Sequence, residues 1–266
     1  MAAGDLGYPA AVSPRPSPWL SRVLVVLVTV ALAACGRRGG HTVKIAAAAD
    51  LSKAFEELGR LYRARTGVRP VFIFGSSGLL SKQLAEGAPY AVFAAANQSY
   101  VDALVAKGVC DGATKRLYAR GRLVVWSKRA VIEKLADLAG PAISKIAIAN
   151  PEHAPYGVAA QQALRAGYIW EDVEPKMVYA ENVRQALQWA QDGQVDAAVV
   201  AMSLAVVTEG GRSLAIDPTL HAPLDQAAAV CAKGQAAVDA AKFLELLTSA
   251  EGREVMERYG FVLPTP

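Results

Sequence analysis

Short apolar runs alternate with amphipathic helical patterns along most of this chain, and this alternation restricts its fold more than any other feature. Thr42–Ala49 has the character of a strand, and the helical pattern after it ends at Gly67. Further strand-like runs follow, each leading towards a helical or loop segment: Val68–Phe74, Tyr90–Ala95, Leu123–Ser127, Ile146–Ala149, Met177–Tyr179, Ala197–Ala201 and Ala227–Cys231. Strands that alternate with helices are typical of parallel βαβ units, so the pattern predicts an α/β fold. Because the rhythm restarts after Leu123–Ser127, we expect two similar lobes.

Composition and charge exclude several classes of protein. The 266 residues are 53% hydrophobic and 20% charged, which does not fit a disordered, collagen-like or disulfide-dense chain. The formal net charge is +4, but residues 1–41 contain four Arg and one Asp, which leaves 24 basic and 23 acidic residues in the remainder. A nearly neutral body without a basic run does not favour a nucleic-acid partner.

Residues 1–35 have the pattern of an export signal. Arg22 precedes the apolar run Val23–Ala34, which is too short to span a bilayer comfortably. Small residues directly before Cys35 resemble the lipobox of bacterial lipoproteins, in which the cysteine is diacylated and becomes the N-terminus. An ordinary signal peptide cleaved after Ala33 is the alternative. Both interpretations place the body outside the cytoplasm, with residues 36–41 as a tether.

Cys110 and Cys231 remain in the body of the chain. They could pair in an oxidising compartment. Cys110 lies in a polar loop and Cys231 in an apolar strand, so we expect two unpaired thiols.

Small or polar residues connect four of the predicted strands to the helices that follow them. The junctions are Ala49-Asp50, Ser76-Ser77-Gly78, Pro155-Tyr156-Gly157 and Glu181-Asn182-Val183. A helix N-terminus exposes unpaired N–H groups and the positive end of the helix dipole, so facing N-termini can bind an anion without Lys or Arg. The alternative for Asp50, Ser77 and Asn182 is a simple N-cap role.

Catalytic motifs are weak in this sequence. The turn around Ser77 lacks Gly-x-Ser-x-Gly spacing, and His153 is the one loop histidine that we considered as a base for it. The sequence has no Walker loop, dinucleotide fingerprint, His-Glu-x-x-His motif or Cys/His cluster with metal-ligand spacing. A secreted serine hydrolase using Ser77 and His153 is therefore the weaker hypothesis, and no cofactor is expected.

Several stretches together resemble the periplasmic molybdate-binding proteins of ABC transporters. In order they are Ala46–Leu51, Phe74–Gly78, Gly87–Pro89, Asn150–Gly157, Glu181–Val183 and Arg258–Phe261. The resemblance implies a type II periplasmic-binding-protein fold with two lobes of mixed, mainly parallel sheets and a ligand cleft between them. The implied first lobe is 42–122 plus 232–266 and the second is 123–231, with crossover strands near Leu123–Ser127 and Ala227–Cys231.

The resemblance also implies which residues bind the oxyanion. Ser77 supplies a hydroxyl and an amide, and Tyr156 and Val183 supply amides. The family's first-lobe serine corresponds to Asp50, and its ligand-binding tyrosine corresponds to Ala201, so two positions depart from the family pattern. An ionised Asp50 cannot donate a hydrogen bond from its side chain, so we expect that side chain to turn away and cap its own helix. Tyr156 or Asn182 could replace the missing phenol.

The function that the resemblance implies is capture of molybdate, and also of tungstate, for delivery to an ABC transporter permease. The protein is then a monomeric, lipid-anchored, extracytoplasmic binding protein, not an enzyme, with molybdate as its ligand and no direct protein–metal bonds. Donors without an acceptor suit a fully deprotonated dianion better than protonated phosphate. A receptor for another tetrahedral oxyanion such as sulfate is the alternative.

Overall fold

The computed structural model describes Met1 and residues 41–264. The predicted export signal, the lipidation site at Cys35 and the tether up to residue 40 lie outside the described residues. No helix in the described part of the chain has both the length and the apolar character to cross a membrane.

Ten strands and nine α-helices make up the described residues. The strands are β1 Thr42–Ala48, β2 Arg69–Gly75, β3 Val92–Ala95, β4 Arg116–Gly121, β5 Leu123–Ser127, β6 Ile146–Ala149, β7 Met177–Ala180, β8 Ala197–Ala201, β9 Arg212–Ala215 and β10 Leu224–Val230. The helices are α1 Ser52–Thr66, α2 Ser77–Ala85, α3 Gln98–Ala106, α4 Pro155–Ala166, α5 Trp170–Val173, α6 Val183–Gln191, α7 Met202–Ala205, α8 Gln235–Thr248 and α9 Ala250–Arg258.

The strands form two five-stranded sheets of the same design. Their orders are β2-β1-β3-β10-β4 and β7-β6-β8-β5-β9. In each sheet the first three strands are parallel, and the last two run antiparallel to their neighbours. The predicted α/β fold with two mixed sheets flanked by helices is confirmed. We call the first sheet with its helices the first lobe and the second sheet with its helices the second lobe.

Two strands carry the chain between the lobes. β5 follows β4 of the first sheet and pairs in the second, and β10 follows the second lobe and pairs with β3 and β4 of the first. The predicted second lobe, 123–231, therefore extends too far, because β10 belongs to the first sheet. An apolar run shows that a strand is buried but does not show which sheet it joins.

Each lobe has its own aromatic core. In the first lobe the ring of Phe243 packs against Phe55, Tyr62 and Phe72, with centroid separations of 5.3–5.9 Å. In the second lobe Trp126 and Trp170 are fully buried. Large buried aromatic side chains thus lie in both lobes.

The two body cysteines are joined, which contradicts the expectation of unpaired thiols. Cys110 lies in the loop after α3, Cys231 directly follows β10, and the two form a disulfide. The N–H of Cys231 also donates to Ala91 O at 2.9 Å. The prediction was wrong because the loop folds back against the end of β10, where Asp111 N–H donates to Val230 O at 2.8 Å.

Candidate functional site

The four predicted junctions meet at one cavity between the lobes. Ligand sites in open α/β sheets lie at the carboxyl ends of the parallel strands, and β1, β2, β6 and β7 all end here. The cavity is lined by Ala48, Ala49, Asp50, Gly75, Ser76, Ser77, Ala96, Ala154, Pro155, Tyr156, Asn182 and Val183. Four of the five predicted site residues, Asp50, Ser77, Tyr156 and Val183, are among them.

Direct contacts between the lobes close the cleft. The N–H of Gly78 in the first lobe donates to His153 O in the second at 2.9 Å. Ser76 Oγ lies 2.8 Å from His153 Nδ1. The cavity that remains has a volume of about 10 Å³, roughly the space that one water needs. A tetrahedral oxyanion is larger than a water molecule, so this closed arrangement leaves little room for one.

Residues at three helix starts line this cavity. Ser77 is the first residue of α2, Tyr156 the second of α4 and Val183 the first of α6. Amides at these positions have no partner inside the helix, and each carries part of the positive end of the helix dipole. Three helix N-termini beside one cavity have the chemistry that suits an anion, because their donors are neutral amides at the positive ends of helix dipoles.

The Ser77 hydroxyl is oriented by the end of β3. Its Oγ accepts a hydrogen bond from the N–H of Ala96 at 2.9 Å, and the side chain is buried. Because this bond uses the oxygen as an acceptor, the hydroxyl proton remains available to donate. Ser77 thus adds a side-chain donor to the amides.

Asp50 lies in a 3₁₀ turn, Ala49–Leu51, between β1 and α1, and it is 1% exposed. Its Oδ2 accepts two hydrogen bonds, from Tyr156 Oη at 3.0 Å and from Gln226 Nε2 at 2.6 Å. Tyr118 Oη donates to Gln226 Oε1 at 2.9 Å. These four side chains form a buried polar cluster that joins the lobes, which we call the Asp50 cluster.

Burial alters the ionisation of the Asp50 cluster. It raises the pKa of Asp50 to about 6, although the bonds from Gln226 and Tyr156 and its own backbone act in the opposite direction. Burial, and then the nearby Asp50 charge, raise the pKa of the Tyr118 and Tyr156 phenols well above their ordinary value. Both phenols are therefore donors at neutral pH.

The described residues that line the cavity include no Lys, Arg or His. Charge on a bound anion can be balanced here only by amide and hydroxyl dipoles. Within residues 41–264, no group of three His, Cys, Asp or Glu side chains is placed to hold a metal ion.

Comparison with known proteins agrees with this geometry. The family model of bacterial extracellular solute-binding proteins matches residues 43–262. The chain belongs to this family. It is 32% identical to the molybdate-binding protein ModA of Rhodobacter capsulatus over 218 residues, which is 82% of this chain and 86% of the relative.

Two further relatives match a similar share of this chain. The chain is 30% identical over 227 residues to YvgL of Bacillus subtilis, a protein named as an ABC transporter substrate-binding lipoprotein, and the match covers 83% of this chain and 86% of the relative. The periplasmic molybdate-binding protein of Azotobacter vinelandii superimposes with a TM-score of 0.79 and is 28% identical, covering 84% of this chain and all of that one.

Ala201 is the predicted site residue that does not line the cavity of this solute-binding protein. It ends β8, is fully buried and pairs with Leu123 of β5. The substitutes considered for the missing phenol are also engaged. The Tyr156 phenol donates to Asp50, and Asn182 Oδ1 caps α6 by accepting from the N–H groups of Arg184 and Gln185, both at 3.1 Å.

The expectation that the Asp50 side chain caps its helix was wrong, because its carboxylate is held by Tyr156 and Gln226 instead. His153 contacts Ser76, while the Ser77 hydroxyl accepts from Ala96, so the Ser77–His153 pair of the weaker hydrolase hypothesis is not formed.

Sequence reasoning missed three residues that set up the site. Gln226 and Tyr118 come from β10 and β4, and Ser203 of α7 donates through Oγ to Asp50 O at 2.8 Å. All three residues lie far from Asp50 along the chain, at separations between 68 and 176 residues. Gln226 also lies within an apolar strand. A single polar residue in an apolar strand was the available signal at Gln226, since such a residue requires a buried partner.

Proposed function

We propose that this protein captures molybdate outside the cytoplasm and delivers it to an ABC transporter permease. One observation carries the proposal: three helix N-termini and the Ser77 hydroxyl converge on a cavity between two lobes whose described lining contains no cation. The two molybdate-binding relatives support the same ligand class.

The hydrogen-bonding character of the cavity favours a fully deprotonated dianion. The cavity-lining amides and the Ser77 hydroxyl are donors, and Oδ2 of Asp50 is already occupied by Tyr156 and Gln226. A protonated phosphate would need an ionised Asp50 Oδ1 as its acceptor, whereas molybdate and tungstate need only donors, and donors predominate here. Capture proceeds by lobe closure, since ligand contacts from both lobes stabilise the closed arrangement.

The proposal includes a lipid anchor at Cys35 and no catalysis. The small residues before Cys35 and the likeness to a substrate-binding lipoprotein support the anchor. In this arrangement the monomeric protein stays at the membrane that holds its permease. Radiolabelled palmitate should enter the full-length chain and should be absent from the Cys35→Ser variant.

Thermal unfolding of the mature chain without its lipidated Cys35, residues 36–266, tests the ligand. Molybdate, tungstate, sulfate and phosphate are added separately. A ligand at 100 times its Kd stabilises the folded state by about 2.7 kcal/mol, a shift of several degrees. We expect that shift with molybdate and tungstate. An equal shift with sulfate would show that the cavity does not discriminate by size, and no shift with any oxyanion would contradict the proposal.

A further inference from the structure

The Asp50 carboxyl has a feature that amide binding of an oxyanion does not use. Its Oδ1 is buried and has no hydrogen-bond partner within residues 41–264, while Asp50 itself lines the cavity. An unpaired carboxyl oxygen in a buried position is costly. A ligand in the cavity could supply the missing partner.

The two carboxyl oxygens of Asp50 have different hydrogen-bond partners. Oδ2 accepts from both Tyr156 and Gln226, which uses both lone pairs of a carbonyl oxygen. Oδ1 accepts from neither. A neutral carboxylic acid with Oδ2 as its carbonyl oxygen and the proton on Oδ1 can accept the same two bonds, and its Oδ1–H is then free to donate into the cavity.

The surroundings of Asp50 favour the neutral form when a dianion is present. The carboxyl of Asp50 accepts from the Tyr156 phenol on α4 and the Gln226 amide on β10. The Tyr118 phenol on β4 donates to Gln226, and the Ser203 hydroxyl on α7 donates to the main-chain oxygen of Asp50. These groups include no cation, so an ionised carboxylate beside a dianion would be repelled without compensation. Burial already raises the pKa of Asp50 to about 6, and a bound dianion raises it further.

We propose that Asp50 binds the oxyanion as a neutral acid, donating its Oδ1–H to a ligand oxygen where the family resemblance implies a serine hydroxyl. At neutral pH the carboxylate takes one proton from solvent as the ligand binds, and the ligand remains a dianion. Asp50 is thus a specificity-determining residue that couples capture to proton uptake. This inference rests on the proposed function.

Isothermal titration of the mature chain with sodium molybdate tests the coupling. Titrations in buffers of different ionisation enthalpy, from about pH 5.5 to about pH 8, measure the protons bound per ligand. We expect uptake to approach one proton at the upper end. The Kd should weaken by about tenfold for each pH unit above the pKa of the free carboxyl.

Three variants separate the possible causes. Asp50→Asn and Asp50→Ser carry neutral donors, so their proton uptake should vanish and their Kd should not change with pH. Asp225→Asn removes a carboxylate on β10 that pairs with Arg120 away from the cavity, and it should keep the wild-type pH dependence. Melting temperatures of the unliganded variants check that each one folds.

The outcomes are distinct. Molybdate binding by the wild type without proton uptake overturns the inference and leaves the proposed function intact. Preference for phosphate, together with loss of all binding in Asp50→Asn, also overturns it, because the carboxylate would then accept a proton from the ligand. If neither the wild type nor Asp50→Ser binds molybdate at any pH, the proposed function fails and the inference with it.

Discussion

Ser77 and Asp50 line the same cavity with opposite hydrogen-bonding constraints. Ala96 N–H occupies one acceptor lone pair of the Ser77 hydroxyl and leaves its proton free to donate to a ligand. The Asp50 carboxyl is occupied at Oδ2 and unpaired at Oδ1. Sequence spacing predicted that both residues would reach the cavity, because each follows a parallel strand. It did not predict their partners, which depend on packing between distant strands.

The Ser77 hydroxyl can be tested by its removal. Ser77→Ala deletes a donor to a charged ligand, a hydrogen bond of about 1.5–3 kcal/mol, so we expect molybdate affinity to fall about tenfold to a hundredfold. Ser81→Ala, on the same helix and outside the cavity lining, is the matched control and should bind as the wild type does. Equal affinity of both variants in titration calorimetry would remove Ser77 from the site.

The stability of the unliganded protein should depend on pH through Asp50. The pKa of Asp50 rises from 3.8 in the unfolded chain to about 6 in the folded one, so its ionised form destabilises the fold above pH 6. This penalty is about 3 kcal/mol and disappears as pH falls towards 4. Asp50→Asn keeps the shape without the charge, so it should be more stable than the wild type at neutral pH.

Urea unfolding at about pH 4.5 and about pH 7.5 measures this difference. The advantage of Asp50→Asn should be largest at the higher pH and should shrink at the lower one. Asp225→Asn, at an exposed ion pair with Arg120, should show little change at either pH. A variant that is less stable than the wild type at the higher pH would contradict the prediction.

At the scale of elements, the start of α6 could be predicted from the sequence, whereas the strands β4 and β9 could not. Asn182 was considered as an N-cap and caps α6, because its side chain reaches two free amides. β4 and β9 were missed, and each lies at the edge of a sheet. Charged residues such as Arg116 and Arg212 occur in these two strands, which an edge position tolerates, so neither strand has the apolar run by which the other strands were predicted.

The cap of α6 allows a matched pair of variants. Asn182→Ala removes the bonds to Arg184 and Gln185, and Asn97→Ala removes the equivalent bond to Ser99 at the start of α3. Each change should lower the free energy of unfolding by about 1 kcal/mol. Only the first helix start lines the cavity, so molybdate affinity should fall in Asn182→Ala alone. Equal molybdate affinities of the two variants would show that the cap of α6 contributes to stability but not to ligand binding.

At the scale of the whole molecule, the contact between Gly78 and His153 controls how closely the lobes approach. A Cβ at position 78 would lie 2.7 Å from His153 O, so alanine cannot be accommodated in the closed arrangement. Alanine is otherwise favoured over glycine in a helix by roughly 0.5–1 kcal/mol. Gly78→Ala should therefore bind molybdate less tightly while its melting temperature without ligand does not fall.

Small-angle scattering with saturating molybdate provides the second measurement for this variant. The wild type should contract on binding, whereas Gly78→Ala should remain more extended because its lobes cannot meet. A loss of melting temperature in the unliganded variant would show instead that the glycine is needed for folding of the first lobe. Contraction equal to that of the wild type would show that the contact does not limit closure.

The disulfide has a topological consequence. The chain leaves the first sheet once, after β4, and returns once, at β10, and Cys110 and Cys231 are joined just outside these two points. The covalent ring that results contains the complete second lobe together with β4 and β10 of the first sheet. Because the ends of this ring are joined, that part of the chain remains a closed loop even when it is unfolded. In an oxidising compartment, the second lobe therefore lies inside a covalently closed loop whose ends are joined in the first lobe.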